Sequence, residues 1–84
     1  MRRLVVPIGV RRPSGELRLV HWIDSKAMFG DPHTHLRENL PQLQSYVNRF
    51  GPGLVIYWFD FCEELDNDPD IVLMGRFPDL FETV

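Results

Sequence analysis

The sequence predicts a mixed α/β domain, a small sheet of about four strands packed against one main helix. Three observations predict it. Apolar residues recur at three- and four-residue steps along one stretch, Leu36, Leu40, Leu43, Val47 and Phe50, the stripe of a single helix. Four other stretches, residues 5–10, 16–27, 54–59 and 71–74, are rich in branched and aromatic side chains and bounded by turn formers. A chain of 84 residues, 44% apolar and 25% charged, has the composition of one soluble globular domain, residues 1–84.

Taken in order, residues 5–10 read as a strand in which Pro7 lacks a ladder donor, so an edge or a bulge is expected. Arg12-Pro13-Ser14-Gly15 carries turn residues, and 16–27 returns as the second arm of an antiparallel hairpin. Gly30-Asp31-Pro32 breaks the chain again. The helix follows over 36–50, with Pro41 marking the first turn of a shorter helix or kinking a longer one. Gly51-Pro52-Gly53 stops it. Residues 54–59 are almost wholly apolar, as in a central strand buried on both faces. An acidic loop or single helical turn over 63–70 leads to a short strand, 71–74, and residues 77–81 are expected to pack the tail back on the sheet. Leu19, Ile23, Leu43, Val47, Val55 and Ile56 are expected in the core.

Charge is uneven along the chain. Residues 1–59 hold eight bases against four acids, a balance of +4, whereas 60–84 hold one base against eight acids, −7. A basic body suits phosphates; an acidic tail repels them or meets another protein. The single Cys62 excludes an internal disulfide framework and a multi-thiolate zinc site, and fits a reducing compartment. No apolar run approaches the ~20 residues that span a bilayer. The signal-like start Met1-Arg2-Arg3 is cut short by Pro7, Gly9, Arg11 and Arg12. An intracellular domain without a membrane partner is expected.

The stretch with most chemistry is Trp22-Ile23-Asp24-Ser25-Lys26-Ala27. Along a strand Asp24 and Lys26 point one way, after Val20 and Trp22, and Ser25 the other. A carboxylate there is suited to a hard cation such as Mg²⁺, and the ammonium to negative charge growing on a phosphate. The plainer alternative is an ion pair at a strand end. On the helix, Gln42 and Tyr46 stand at i, i+4 and share a flank. They suit a water or a phosphate, or else are a solvated amide and a core-edge phenol. Asp31, His33 and His35, with His21 at a distance, imitate zinc ligands, but read as polar loop residues after the turn. Residues 66–77 imitate a calcium loop, yet Ile71 and Phe77 occupy the glycine and glutamate positions. Cys62 has no activating neighbour in sequence.

Trp22-Ile23-Asp24-Ser25-Lys26-Ala27, Phe29-Gly30-Asp31 and the run Arg49-Phe50-Gly51-Pro52-Gly53-Leu54-Val55-Ile56-Tyr57-Trp58 resemble the codanin-interacting nuclease family, also known by its Thr-Pro-Asp motif. That family belongs to the PD-(D/E)XK nuclease superfamily, and the likeness covers roughly residues 4–60. It implies an incomplete restriction-endonuclease-like core and a Mg²⁺- or Mn²⁺-dependent nuclease acting on nucleic acid. By the resemblance Asp24 is the metal-binding acid and Lys26 the catalytic lysine, while Gln42 and Tyr46 match a Gln-x-x-x-Tyr motif on the following helix. It also implies a codanin-like protein partner and a nuclear or cytoplasmic location. No Thr-Pro-Asp occurs in the sequence; counted back from Val6-Pro7-Ile8, its aspartate would fall near Met1. The expectation is an N-terminally truncated core, through fragmentation or an incorrect start, or a chain that has lost catalysis. With one acid, the metal is expected to bind weakly. The alternative function is a catalytically silent interaction module on the same fold.

Overall fold

The structure, a computed structural model, describes residues 1–75; the expected packing of 77–81 lies outside them. Two long strands, β1 (Arg2–Arg11) and β2 (Leu17–Lys26), form an antiparallel hairpin. A helical run then leads into α1 (Leu40–Phe50), followed by β3 (Gly53–Tyr57) and β4 (Ile71–Met74). The sheet order is β1-β2-β3-β4, with β3 parallel to both β2 and β4. This is the mixed four-stranded α/β architecture that the residue pattern predicts. Among the described residues no helix is long and apolar enough to cross a membrane.

The hairpin register slips between Arg3 and Ile8, where Leu4 to Pro7 bulge opposite His21. Pro7 has no N–H to give the ladder, and the His21 N–H turns away to Pro52 O at 2.7 Å. The slip also re-aims β2. Val20 packs with Val10, Leu54, Ile56 and Val72, while Trp22 joins the opposite cluster with Leu43, Val55, Tyr57 and Leu73 under α1. The expectation that Val20 and Trp22 share a face is therefore corrected.

Of the expected core, Leu43, Val55 and Ile56 are buried, whereas Ile23 and Val47 are half-buried. Leu19 is corrected outright: it is exposed, because it lies on the hairpin beyond the reach of α1. The central strand ends at Tyr57, earlier than expected, so Trp58 and Phe59 form an exposed turn closed by Asp60 N–H to Tyr57 O at 3.1 Å.

Pro41 falls in the first turn of α1, as the shorter-helix alternative has it, but a helical run precedes it. The turn before it widens to a π-helix over Thr34–Asn39, with the Leu40 N–H reaching His35 O, five residues back. A proline ring collides with the carbonyl four residues earlier, and the wider turn moves that carbonyl aside. The extra residue rotates the stripe, so Leu36 is exposed and His35 and Asn39 point inward instead.

The helix stops at Gly51, whose φ of 89° favours glycine and whose N–H bonds Val47 O at 2.9 Å. At Gly53 a Cβ atom would sit 1.9 Å from the Trp22 ring. That close approach lets the indole lie flat beneath the helix end and donate Nε1–H to Gly51 O at 2.8 Å.

Candidate functional site

The start of β1, the second half of β2 and one flank of α1 border one polar cluster, the groove, with the fully buried Trp22 beneath it. Asp24 and Lys26 point into it from β2, and Ser25 is exposed on the other side, as strand alternation requires. Asp24 is buried, 7% exposed. Its Oδ2 lies 3.3 Å from Lys26 Nζ, and its Oδ1 lies 3.4 Å from the amino group of Met1. Lys26 Nζ donates to Gln42 Oε1 at 3.2 Å, joining the strand to the helix.

Tyr46 stands one turn beyond Gln42 and meets Trp22 edge to face, ring centroids 5.3 Å apart. Partial burial, and then the nearby Asp24 carboxylate, hold its hydroxyl above the usual phenol range. The four residues that sequence singles out, Asp24, Lys26, Gln42 and Tyr46, are thus brought to one place. A fixed ammonium, an amide and a neutral phenol there can accept a phosphate and stabilise charge on it.

Sequence alone missed the support behind this group. Tyr57 pairs with Lys26 in the parallel register and buries its hydroxyl beside the groove. Asn39 Nδ2 donates to that hydroxyl at 3.0 Å, and His35 Nδ1 lies 2.7 Å from it. Burial lowers the His35 pKa below its ordinary value, with Asp68 opposing the shift. Burial first, and then the Asp24 and Asp31 carboxylates, raise that of Tyr57, against the Asn39 hydrogen bond. A lone tyrosine inside an apolar run was the available signal, since a buried phenol needs a polar partner.

The reading of His33 and His35 as loop residues is corrected, since His35 belongs to the helical run and enters the core. Asp31 turns to the helix start, accepting the Thr34 N–H at 2.7 Å and the Thr34 hydroxyl at 3.0 Å; the backbone bond chiefly lowers its pKa. Glu16 pairs with Arg12 and Arg18 at the hairpin tip.

The donor set does not make a dication site. Asp24 supplies the groove's carboxylate, its Oδ2 faces the Lys26 ammonium, and among the described residues no three His, Cys, Asp or Glu side chains converge. Mg²⁺ ordinarily takes one or two carboxylates together with substrate phosphates.

Residues 3–77 match the model of a family described as "Protein of unknown function TPD sequence-motif". The chain belongs to this family. Curated TPD-motif relatives carry the name "CDAN1-interacting nuclease 1". The protein of Danio rerio is 52% identical over 77 residues, covering 89% of this chain and 24% of the relative. That of Homo sapiens is 48% identical over 77 residues, 89% of this chain and 26% of the relative. That of Xenopus tropicalis is 46% identical over 83 residues, 96% and 26% respectively. The chain spans about a quarter of the length of these relatives. No solved structure matches it. The part matched by the TPD model runs from β1 to β4 and includes Trp22, Asp24, Lys26, Gln42 and Tyr46, although the Thr-Pro-Asp tripeptide itself is absent from the 84 residues.

Proposed function

We propose that this chain is a nuclease-type domain that binds nucleic acid in the groove and acts on its phosphodiester bonds. The observation that carries the proposal is the Asp24–Lys26–Gln42 chain of contacts, which fixes an ammonium between strand and helix. Relatives named as nucleases support it. Lys26 meets the negative charge that grows on the phosphate as the attacking oxygen adds, and Asp24 and Gln42 hold its Nζ in place. The Tyr46 hydroxyl, kept protonated, donates a hydrogen bond to a phosphate oxygen. A divalent cation held by Asp24 alone is held weakly, and the role given to Lys26 does not depend on it.

The test is cleavage of labelled single-stranded and branched DNA in Mg²⁺ or Mn²⁺ by the parent chain and by Lys26→Ala. Loss of one stabilising donor to a developing charge slows such reactions by roughly 10²–10³-fold. Equal cleavage by both removes Lys26 from the mechanism.

A second reading is favoured by the other half of the relatives' name, "CDAN1-interacting". In it the chain is a catalytically silent module that binds a codanin-like protein. Purified codanin captured by the parent chain, with no cleavage under any metal, supports this reading; cleavage without capture refutes it. Either reading carries a nuclear or cytoplasmic location, which imaging of a tagged chain tests.

A further inference from the structure

The groove does not end at Tyr46. One turn further along α1, Phe50 is half-buried, and two guanidinium groups lie against its ring. The Arg3 group sits 4.9 Å from the ring centroid and that of Arg49 5.4 Å. Arg3 arrives from β1, where it pairs with Trp22, the floor beneath Asp24 and Tyr46. Both arginines are exposed, and among the described residues neither takes part in an ion pair.

We propose that Arg3, Phe50 and Arg49 form a phosphate-binding subsite that grips the backbone of a nucleic-acid strand leading out of the Asp24–Lys26 groove. This rests on the nucleic-acid reading above and deepens it, because it gives the strand a direction. Guanidinium groups match phosphate oxygens two at a time. The shared ring fixes both groups against one surface and lowers the ordering cost of binding. From Gln42, where Lys26 meets the helix, to Phe50 the helix rises about 12 Å, the length of three to four nucleotide steps of ~3.4 Å. A strand with one phosphate at Lys26 therefore presents a phosphate a few steps further along to this pair. A purely structural role, Arg49 completing the helix C-terminus and Arg3 covering Phe50, leaves nucleic-acid affinity untouched.

The experiment is fluorescence anisotropy of a labelled single-stranded oligonucleotide against a salt series, using the 84-residue chain. Arg3→Gln with Arg49→Gln is expected to weaken binding at least tenfold and to flatten the log K against log salt slope by about 1.4, or ~0.7 for each phosphate no longer neutralised. Arg3→Lys with Arg49→Lys keeps the charges and is expected to restore the slope, which guards against a folding defect. Unchanged affinity and slope in the glutamine pair overturns the proposal. So does parent binding that inorganic phosphate, at a concentration matched in ionic strength, abolishes while chloride does not, since the site is then one for free anion. The two proposals fail separately. A parent that never cleaves, but whose binding still depends on both arginines, defeats the nuclease reading and supports this one. A parent that cleaves with the same KM as the glutamine pair defeats this one alone.

Discussion

Divalent-metal affinity is the property on which the groove makes its sharpest commitment. A cation approaching Asp24 finds its Oδ2 already facing the Lys26 ammonium at 3.3 Å. To take Oδ2 it must replace the Lys26 contact. A unit-charge pair at that separation is worth roughly 1 kcal/mol in water and roughly 5 kcal/mol at an effective dielectric constant of 20. Millimolar binding amounts to about 4 kcal/mol in all, so the contact to be displaced is comparable with the whole affinity of an ordinary weak site. Calorimetric titration with Mn²⁺ is therefore expected to give millimolar affinity or worse for the 84 residues. Lys26→Met removes the competing charge and is expected to tighten binding tenfold or more, about 1.4 kcal/mol. Micromolar affinity in the parent chain, abolished by Asp24→Ala, refutes the reasoning, because a second acid such as Glu16 or Asp31 must then complete the site.

Tyr57→Phe leaves the buried His35 Nδ1 without its partner and Asn39 Nδ2 with only Met28 Sδ, and a stranded buried group costs about 1–3 kcal/mol, so urea unfolding is expected to show a loss of that size at unchanged m. A loss under about 0.5 kcal/mol would contradict the network. His35, whose pKa is lowered on folding, is neutral in the native state where the unfolded chain is protonated. Its stabilising contribution is full above its ordinary value of 6.5 and drains away as pH falls from there through the lower native value. Denaturation at pH about 7.5 and about 5 is expected to differ more in the parent than in His35→Gln. Gly53→Ala drives a methyl into the Trp22 ring and is expected to shift the indole emission and to weaken the fold by ~2 kcal/mol or more, since neither backbone nor ring can yield cheaply.

The strand and helix assignments were legible because burial writes itself into the sequence as periodicity, and so were the faces of Asp24, Ser25 and Lys26. Two places were not legible. The π-helical turn depends on how a proline ring and a carbonyl avoid each other in three dimensions, and no period in the sequence announces the extra residue that turns His35 and Asn39 inward. The bulge opposite His21 was foreshadowed by Pro7, but its consequence was not. A strand that changes phase sends Val20 and Trp22 to opposite sides, and leaves Leu19 in solvent. Gln42 and Tyr46 look unremarkable in isolation; only the helix packing across the sheet brings the amide to Lys26 and the phenol to Trp22. The acidic stretch at 63–70 reads in sequence as part of a tail that repels phosphates or meets another protein, yet Asp66 is bound to Arg12 and Asp68 to Gln44.

Two buried ion pairs among the described residues show the difference between a structural charge and one held in reserve. Arg12, at the hairpin tip, is 6% exposed and binds Glu16, Asp66, and the carbonyls of Asp68 and Ile71. Four of its five side-chain N–H donors tie the hairpin together and to the loop before β4. The groove pair is built otherwise. Asp24 and Lys26 meet at 3.3 Å, long for a charge-assisted hydrogen bond, and Lys26 spends a further donor on Gln42 at 3.2 Å while a third finds no partner among the described residues. Burying such a pair brings little stability, since two apolar side chains of similar size serve a fold as well or better. A loosely satisfied ammonium on a strand, beside a protonated phenol, retains bonding capacity for an anion from outside the protein. Lys26 answers to one carboxylate where Arg12 answers to two, and this makes the groove, and not the hairpin tip, the place to look for phosphate chemistry.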